Sequence, residues 1–461
     1  MTGLDRAALL EAAGYVDSWI AFRREQRDVP GLVVAIRQAD ELVLCQGYGC
    51  ARLDPRVPMT PDHVFRVASH SKMFTATAIM QLVEQGKLRL DDRADAYISW
   101  LTSEVTLRQL LNHAGGVIRD GVDADFWRVE QPFPDVATLR TLAPDATILP
   151  PNTTFKYSNI GFGLLGQVVE SVSGASFNQY AQEHIVQRLG LASTGPELVP
   201  DVLDRCVTGY TGKVLGVPRR GVPTIDTRAL SPATGFYSTA EDLCRFAAAH
   251  WPGDETLLAD ASKREMQHAA WTIEHSEERY GLGLIAERIG ERDTVGHSGG
   301  FPGQSTRTLF DPVDRLAVVV LSNTSDGDGR AGPLAAQIVR FIDFAQRHPG
   351  GSGADLAPYT GRFANAGGAV DIVAFGGKLF GLSPESENPS KFVWELEVID
   401  ADTLRIAKCG GFEYPGESIR FERDAAGNTQ RMIAGGVSLY PEAIFRERYA
   451  TESHWRPPAF A

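Results

Sequence analysis

Residues 65–76 read Phe65-Arg-Val-Ala-Ser-His-Ser-Lys-Met-Phe-Thr-Ala76. Apolar residues at helical spacing begin inside this stretch, with Met73, Ala76, Met80 and Val83 on one stripe. They predict a helix from His70 to Gln85 with Gly86 as its C-cap. Ser69 and Lys72 then share one face of the first turn. A serine at a helix start feels the positive helix end and its free N–H groups, which favours an alkoxide, and the Ser69 N–H can donate to an oxyanion. A lysine ammonium is no base, but desolvation beside another cation lowers an amine's pKa until it becomes one. Such chemistry needs a second proton relay as well. Ser-x-x-Lys also occurs on ordinary exposed helices, so the rest of the chain has to decide.

Tyr157-Ser158-Asn159 is the only Tyr-x-Asn in the chain and lies just before an apolar helix at Ile160–Val172. A phenol near two cations can be depressed toward phenolate and serve as a general base. The Asn159 amide can bind a substrate carbonyl and orient Lys72. The alternative is a core tyrosine with Asn159 as helix cap. Gly296-His-Ser-Gly-Gly300 precedes strand-like sequence, and Gly299 and Gly300 let a substrate lie against backbone whose N–H groups complete an oxyanion hole. His113-Ala-Gly115 and His348-Pro-Gly350 share the His-x-Gly pattern without that company. Residues 296–300 also match Gly-x-Ser-x-Gly, a nucleophile elbow with Ser298 as nucleophile, but an elbow needs a helix after the serine, and here Phe301-Pro-Gly303 and strands follow.

Ser69-x-x-Lys72, Tyr157-x-Asn159 and His297-x-Gly299, in this order, resemble the serine β-lactamase and penicillin-binding-protein superfamily, its class C-like group above all. The stretches 65–76, Leu110-Leu-Asn-His-Ala-Gly-Gly116 and Leu316–Asn323 share that phrasing, and the likeness covers about residues 28–345. The resemblance implies an α/β fold: a sheet flanked by helices, with an all-helical subdomain. It implies Ser69 as acyl-accepting nucleophile, Lys72 and Tyr157 sharing base and proton-return duties, Asn159 holding substrate, and the N–H groups of Ser69 and Gly300 as the oxyanion hole beside Gly299. His297 stands where these enzymes usually carry a lysine that anchors a β-lactam carboxylate. A histidine is only partly charged near neutral pH, which disfavours β-lactamase activity and leaves esterase, amidase or D-peptidase chemistry open. The other readings are a peptide cyclase or acyl transferase on the same acyl-enzyme, and a non-catalytic binding or scaffold protein.

Working outward, residues 5–27 predict a helix, and Gly31–Arg37 with Glu41–Gln46 a hairpin. Capping boxes are predicted at Thr106/Gln109, Ser176/Gln179 and Ser238/Glu241, and residues 88–250 read as mostly helix and loop. Strands are predicted at Tyr280–Glu287, Ser305–Phe310 and Leu316–Ser322, then a helix at 332–346. Pro349-Gly-Gly-Ser-Gly353 reads as a linker. Beyond it come short alternating strands, including Val370–Phe375, Phe392–Val398 and Ser418–Glu422, whose texture resembles a lipocalin-like antiparallel β-barrel. The division is thus a hydrolase domain at 1–347, a linker at 348–357 and a barrel domain at 358–461.

The 461 residues carry 45 Lys+Arg against 58 Asp+Glu, a net charge of −13 without a basic run, which speaks against nucleic acid and anionic membrane surfaces as partners. The longest strictly apolar run, Leu316–Leu321, is far too short to span a membrane. Five cysteines, never spaced Cys-x-x-Cys, read as reduced thiols. No cofactor or metal is expected: Glu274-His275 with Glu278, and Asp326-Gly-Asp328, read as solvated loops. The N-terminus lacks a secretory pattern, so a cytoplasmic location is expected unless the chain is a mature form, with a small ester or peptide as partner. His113 either braces the turn at Gly115-Gly116 or lies near the cleft.

Overall fold

The hairpin at the start of the chain forms as predicted. Strand Gly31–Gln38 pairs antiparallel with Glu41–Arg52, and its other edge pairs with Leu316–Ser322, matching Leu32 to Ser322 and Gln38 to Leu316. The computed structural model describes residues 3–350, 355–410 and 414–451. Strands from residues 31–58 and 271–322 thus meet in one nine-stranded sheet. Its order is Val57–Pro58, Glu41–Arg52, Gly31–Gln38, Leu316–Ser322, Gln304–Asp311, Arg292–Phe301, Ile285–Ile289, Arg279–Tyr280, Trp271–Thr272. Leu316–Ser322 is buried along its whole length, as suits a central strand covered on both faces.

Contacts group the chain into two compact units, residues 24–339 and residues 1–23 with 340–461. The larger unit holds the sheet and the helices between its two halves, including Ser71–Glu84 and Asn159–Ser173. Ser71–Glu84 was predicted to bury one stripe. Instead every residue from Ser71 to Leu82 is buried, because this helix is packed from all sides. It ends as the sequence indicates: Gly86 has φ +68, and the Lys87 and Gly86 N–H groups donate to the Leu82 and Val83 carbonyls.

Other local signals fared unevenly. The box at Thr106/Gln109 is complete in both directions. Ser176 accepts from the Gln179 N–H, but the Gln179 side chain donates to Glu183 instead of returning. The third box is displaced by one residue. Ser238 belongs to strand Tyr237–Ser238, and Thr239 caps the helix by accepting from the Asp242 N–H. Tyr280–Glu287 is two strands, Arg279–Tyr280 and Ile285–Ile289, separated by a turn in which the Gly281 N–H donates to the Leu284 carbonyl. The linker at Pro349–Gly353 lies mostly outside the described residues.

In the smaller unit, eight strands from Gly361–Asn365 to Val437–Pro441 follow one another around a closed antiparallel barrel, sealed where Phe363 and Ala364 meet Pro441 and Tyr440. Phe363, Ile372, Leu404, Ile406, Ile419 and Met432 fill it as a core. The strand predicted at Phe392–Val398 runs from Trp394 to Asp400, leaving Phe392 exposed. Helix Arg6–Gln26 contributes Tyr15, whose hydroxyl donates to Asp371 Oδ2 at 2.9 Å, while Arg362 grips the same carboxylate through Nε and Nη2 at 2.7 and 2.8 Å. Asp371 is 2% exposed, so losing it leaves a buried guanidinium short of its main counter-charge. Asp371→Ala is expected to destabilise this unit by about 3–5 kcal/mol, and Tyr15→Phe by only about 1 kcal/mol. Denaturant unfolding of the full chain checks that order.

Candidate active site

The turn that carries Ser69 is held by its own neighbours. Ala68 adopts φ +48, an uncommon left-handed conformation for a residue with a Cβ, inside the 3-10 turn Ala68–His70 that leads into helix Ser71–Glu84. Ser71 Oγ donates to the Ala68 carbonyl at 2.6 Å and accepts from the Phe236 N–H at 3.0 Å. His70 joins the Val67 carbonyl (Nδ1, 2.9 Å) to Thr308 of the sheet (Nε2, 2.9 Å). Sequence reasoning assigned nothing to His70 or Ser71, although they stand between the two residues it chose.

Lys72 is fully buried and makes three contacts: Asn159 Oδ1 at 2.7 Å, the Ala233 carbonyl at 2.8 Å and Ser69 Oγ at 3.2 Å. The first two partners can only accept. Once the amine is neutral, its two hydrogens serve them and its lone pair is left for the Ser69 hydroxyl. Burial pushes the amine well below the usual lysine range; Asp120 opposes that shift and Arg119 adds to it. The Ala233 carbonyl reaches Lys72 from the segment Ser231–Gly235, which lies against helix Asn159–Ser173 at Gly166. A Cβ on Gly166 would sit 2.2 Å from Pro232.

Asn159 is buried at the start of its helix, but Ser158 is the cap, accepting from the Gly161 N–H at 2.8 Å. The Asn159 Nδ2 donates to Asp120 Oδ1 at 2.6 Å, so its amide is committed at both ends, to Lys72 and to Asp120. The Tyr157 ring lies 4.7 Å from Lys72 Nζ and 4.9 Å from the Arg119 guanidinium. The phenolate anticipated from two nearby cations is not favoured. Burial raises this phenol well above its ordinary value, outweighing the lowering by nearby Ser69 and Arg119. His113 stands behind the phenol, with ring centroids 4.2 Å apart, and its Nδ1 accepts from the Ser158 N–H.

His297 sits inside strand Arg292–Phe301, where the sequence placed it just ahead of the strands. Its Nδ1–H donates to the Ser298 carbonyl at 2.6 Å, and its Nε2 accepts from the Tyr280 hydroxyl at 2.9 Å. Burial, with Lys72 nearby, holds its pKa well below the ordinary histidine value, so the ring is neutral rather than partly charged. Ser298 is mid-strand and the chain returns as strand Gln304–Asp311, so no nucleophile elbow exists. Ile285–Ile289 pairs with this strand only as far as Gly296, leaving His297–Phe301 unpaired on that side. Gly299 packs where a Cβ would lie 2.2 Å from both the Val67 carbonyl and Thr306 Oγ1, against the serine turn; at Gly300 nothing lies within 4 Å.

Together these groups line a cleft of about 480 Å³ that holds Ser69, Tyr157, Asn159, His297 and Gly300 with Arg119, Asp120, Trp127, Glu278 and Tyr280. Lys72 lies beneath it. Glu278, read as a solvated loop residue, faces this cleft and lies 3.5 Å from Arg307. Asp326 pairs with Arg219, and no metal-binding cluster occurs among the described residues. Arg119, Asp120 and Tyr280 were missed, and a backbone carbonyl such as that of Ala233 leaves no trace in sequence.

A family model described as Beta-lactamase matches residues 16–340. The chain belongs to the beta-lactamase family. It is 28% identical over 66% of its length to "Penicillin-binding protein 4*" of Bacillus subtilis, covering 70% of that protein. Among solved structures it resembles an octameric penicillin-binding protein homologue from Pyrococcus abyssi, at 23% identity and TM-score 0.65 over 92% of this chain and 99% of that one. It also resembles a D-amino acid amidase from Ochrobactrum anthropi SV3, at 24% identity and TM-score 0.60 over 71% of this chain and 99% of that one. The beta-lactamase fold expected from the motifs is therefore present. No helix among the described residues is long and apolar enough to cross a membrane.

Because a Cβ on Gly299 would run into the serine turn and one on Gly300 would meet nothing within 4 Å, the two glycines separate packing from chemistry. Gly299→Ala is expected to cost about 1–3 kcal/mol by overpacking and to lower the melting temperature. Gly300→Ala is expected to leave it nearly unchanged, as thermal unfolding of the two variants will show.

Proposed function

We propose that the chain is a serine hydrolase that forms an acyl-enzyme on Ser69 and acts on an ester or a small amide or peptide. The observation that carries this reading is the setting of Lys72: a buried amine whose other two partners are pure acceptors, 3.2 Å from Ser69 Oγ. The neutral amine takes the Ser69 proton as Oγ attacks the substrate carbonyl. The oxyanion accepts from the N–H groups of Ser69 and Gly300. Tyr157, kept protonated by burial, passes a proton to the leaving oxygen or nitrogen, and its supply is the proton Lys72 has gained. Water then enters by the reverse relay and releases the acid. Asn159 orients Lys72, and His297 with Tyr280 holds the strand that borders the acyl group. A neutral His297 offers no fixed cation to a β-lactam carboxylate, which supports ester or amide chemistry over β-lactam defence. The amidase among the structural relatives supports including amides.

Ser69→Ala is expected to abolish turnover of short-chain p-nitrophenyl esters and D-amino acid amides, and with it covalent labelling by a fluorophosphonate. Labelling that persists in this variant overturns the assignment. The pH profile gives a second check. The amine works only when deprotonated, so kcat/KM rises with pH through the Lys72 ionisation and levels off well below the usual lysine range. Asp120 favours the ammonium form, so Asp120→Asn is expected to move that acid limb to lower pH.

A further inference from the structure

The acyl-transfer steps leave Arg119 without a task, although it lines the cleft beside Tyr157. We propose that Arg119 forms a carboxylate-binding subsite on the Tyr157 wall of the cleft, so that the substrates are esters or amides bearing a free carboxylate. This rests on the serine-hydrolase reading and narrows its substrate class.

The arginine is built in place. Its carbonyl accepts from the N–H groups of Asn159 and Ile160 at 2.8 and 3.2 Å, which ties its backbone to the helix that positions Lys72. Its guanidinium lies over the Tyr157 ring, and its Nε donates to Asp120 Oδ2 at 3.1 Å. The other Asp120 oxygen is taken by Asn159, so this carboxylate steadies the inner edge of the guanidinium and is not free for a substrate cation. Both terminal nitrogens of Arg119 lack a partner among the described residues, and the side chain is 61% exposed. A planar fork held by its inner nitrogen, with its outer pair open, suits two-point binding of a carboxylate.

The facing wall favours the same placement. His297 is neutral, with both ring nitrogens hydrogen-bonded, and offers no cation. Glu278 adds a negative charge near Tyr280, and the buried Arg307 behind it is shared between Glu278 and Glu287. A substrate carboxylate is therefore repelled from the Glu278 side and drawn to Arg119.

The test compares kcat/KM for matched substrates with the carboxylate on either half: 4-nitrophenyl hydrogen glutarate against 4-nitrophenyl butyrate, and 3-acetoxybenzoate against phenyl acetate. The wild-type chain is expected to prefer the anionic member of at least one pair by ~10-fold or more, less at high salt. Arg119→Gln is expected to remove that preference and Arg119→Lys to restore part of it; the ratio is the readout, because Arg119 also bears on Lys72. Fluorophosphonate labelling of Ser69 reports that each variant is folded. The subsite is overturned by equal rates within both pairs, or by a preference that survives Arg119→Gln. If no ester is turned over and Ser69 is not labelled in the wild-type chain, the serine-hydrolase reading itself fails.

Discussion

The burial of the Lys72 amine is the constraint on which the site depends. An ammonium taken out of water is costly unless paired, and here the pairing is deliberately incomplete: an amide oxygen and a backbone carbonyl satisfy two hydrogens without supplying a counter-charge. Asp120 lies one residue further out, behind Asn159, and moderates the shift without cancelling it. Remote parts of the chain are needed to arrange this. The helix begun at Asn159 brings the amide, Gly166 lets Pro232 settle on that helix, and the Ala233 carbonyl follows. Placing lysine within one turn of serine thus matters only because two other segments close over it.

A second constraint joins the serine turn to the sheet. The left-handed Ala68 would relax if nothing opposed it. Ser71 and His70 oppose it from the turn itself, and strand Arg292–Phe301 presses on it from outside at Gly299, where there is room for a hydrogen and no more. The same strand carries His297, whose bond to the Ser298 carbonyl and acceptance from Tyr280 stiffen the backbone beside Gly300. Both ring nitrogens of His297 are thus committed, one to the Ser298 carbonyl and one to the Tyr280 hydroxyl. The smaller unit solves its own problem separately: it fills a closed barrel with apolar side chains and buries Asp371 between Arg362 and Tyr15.

Much of this was legible in the sequence wherever the controlling interaction is local. The Gly31–Gln38 hairpin, the Thr106 box and the Gly86 cap depend on residues within a few positions of one another. The barrel announced itself through alternation and turns. The strand around His297 did not, because its glycines carry little strand propensity and its place comes from partners on Gln304–Asp311 and Ile285–Ile289. The all-round burial of Ser71–Glu84 hid for a similar reason: a stripe of apolar residues says which face is buried at least, not what covers the others.

For the site, sequence by itself determined the cast. Ser69 and Lys72 share a helical turn by spacing alone, and Tyr157, Asn159 and His297 were recognisable by pattern and order. The tertiary structure decided what each can do. It set Tyr157 as a protonated phenol, His297 as a neutral strap and Asn159 as a holder of Lys72, and it brought Arg119, Asp120, Glu278 and Tyr280 into the same cleft. The physical reason is desolvation. Spacing along a helix settles which side chains are neighbours, but the charge a group carries depends on how much water is excluded around it, and that is set by segments far away in the chain.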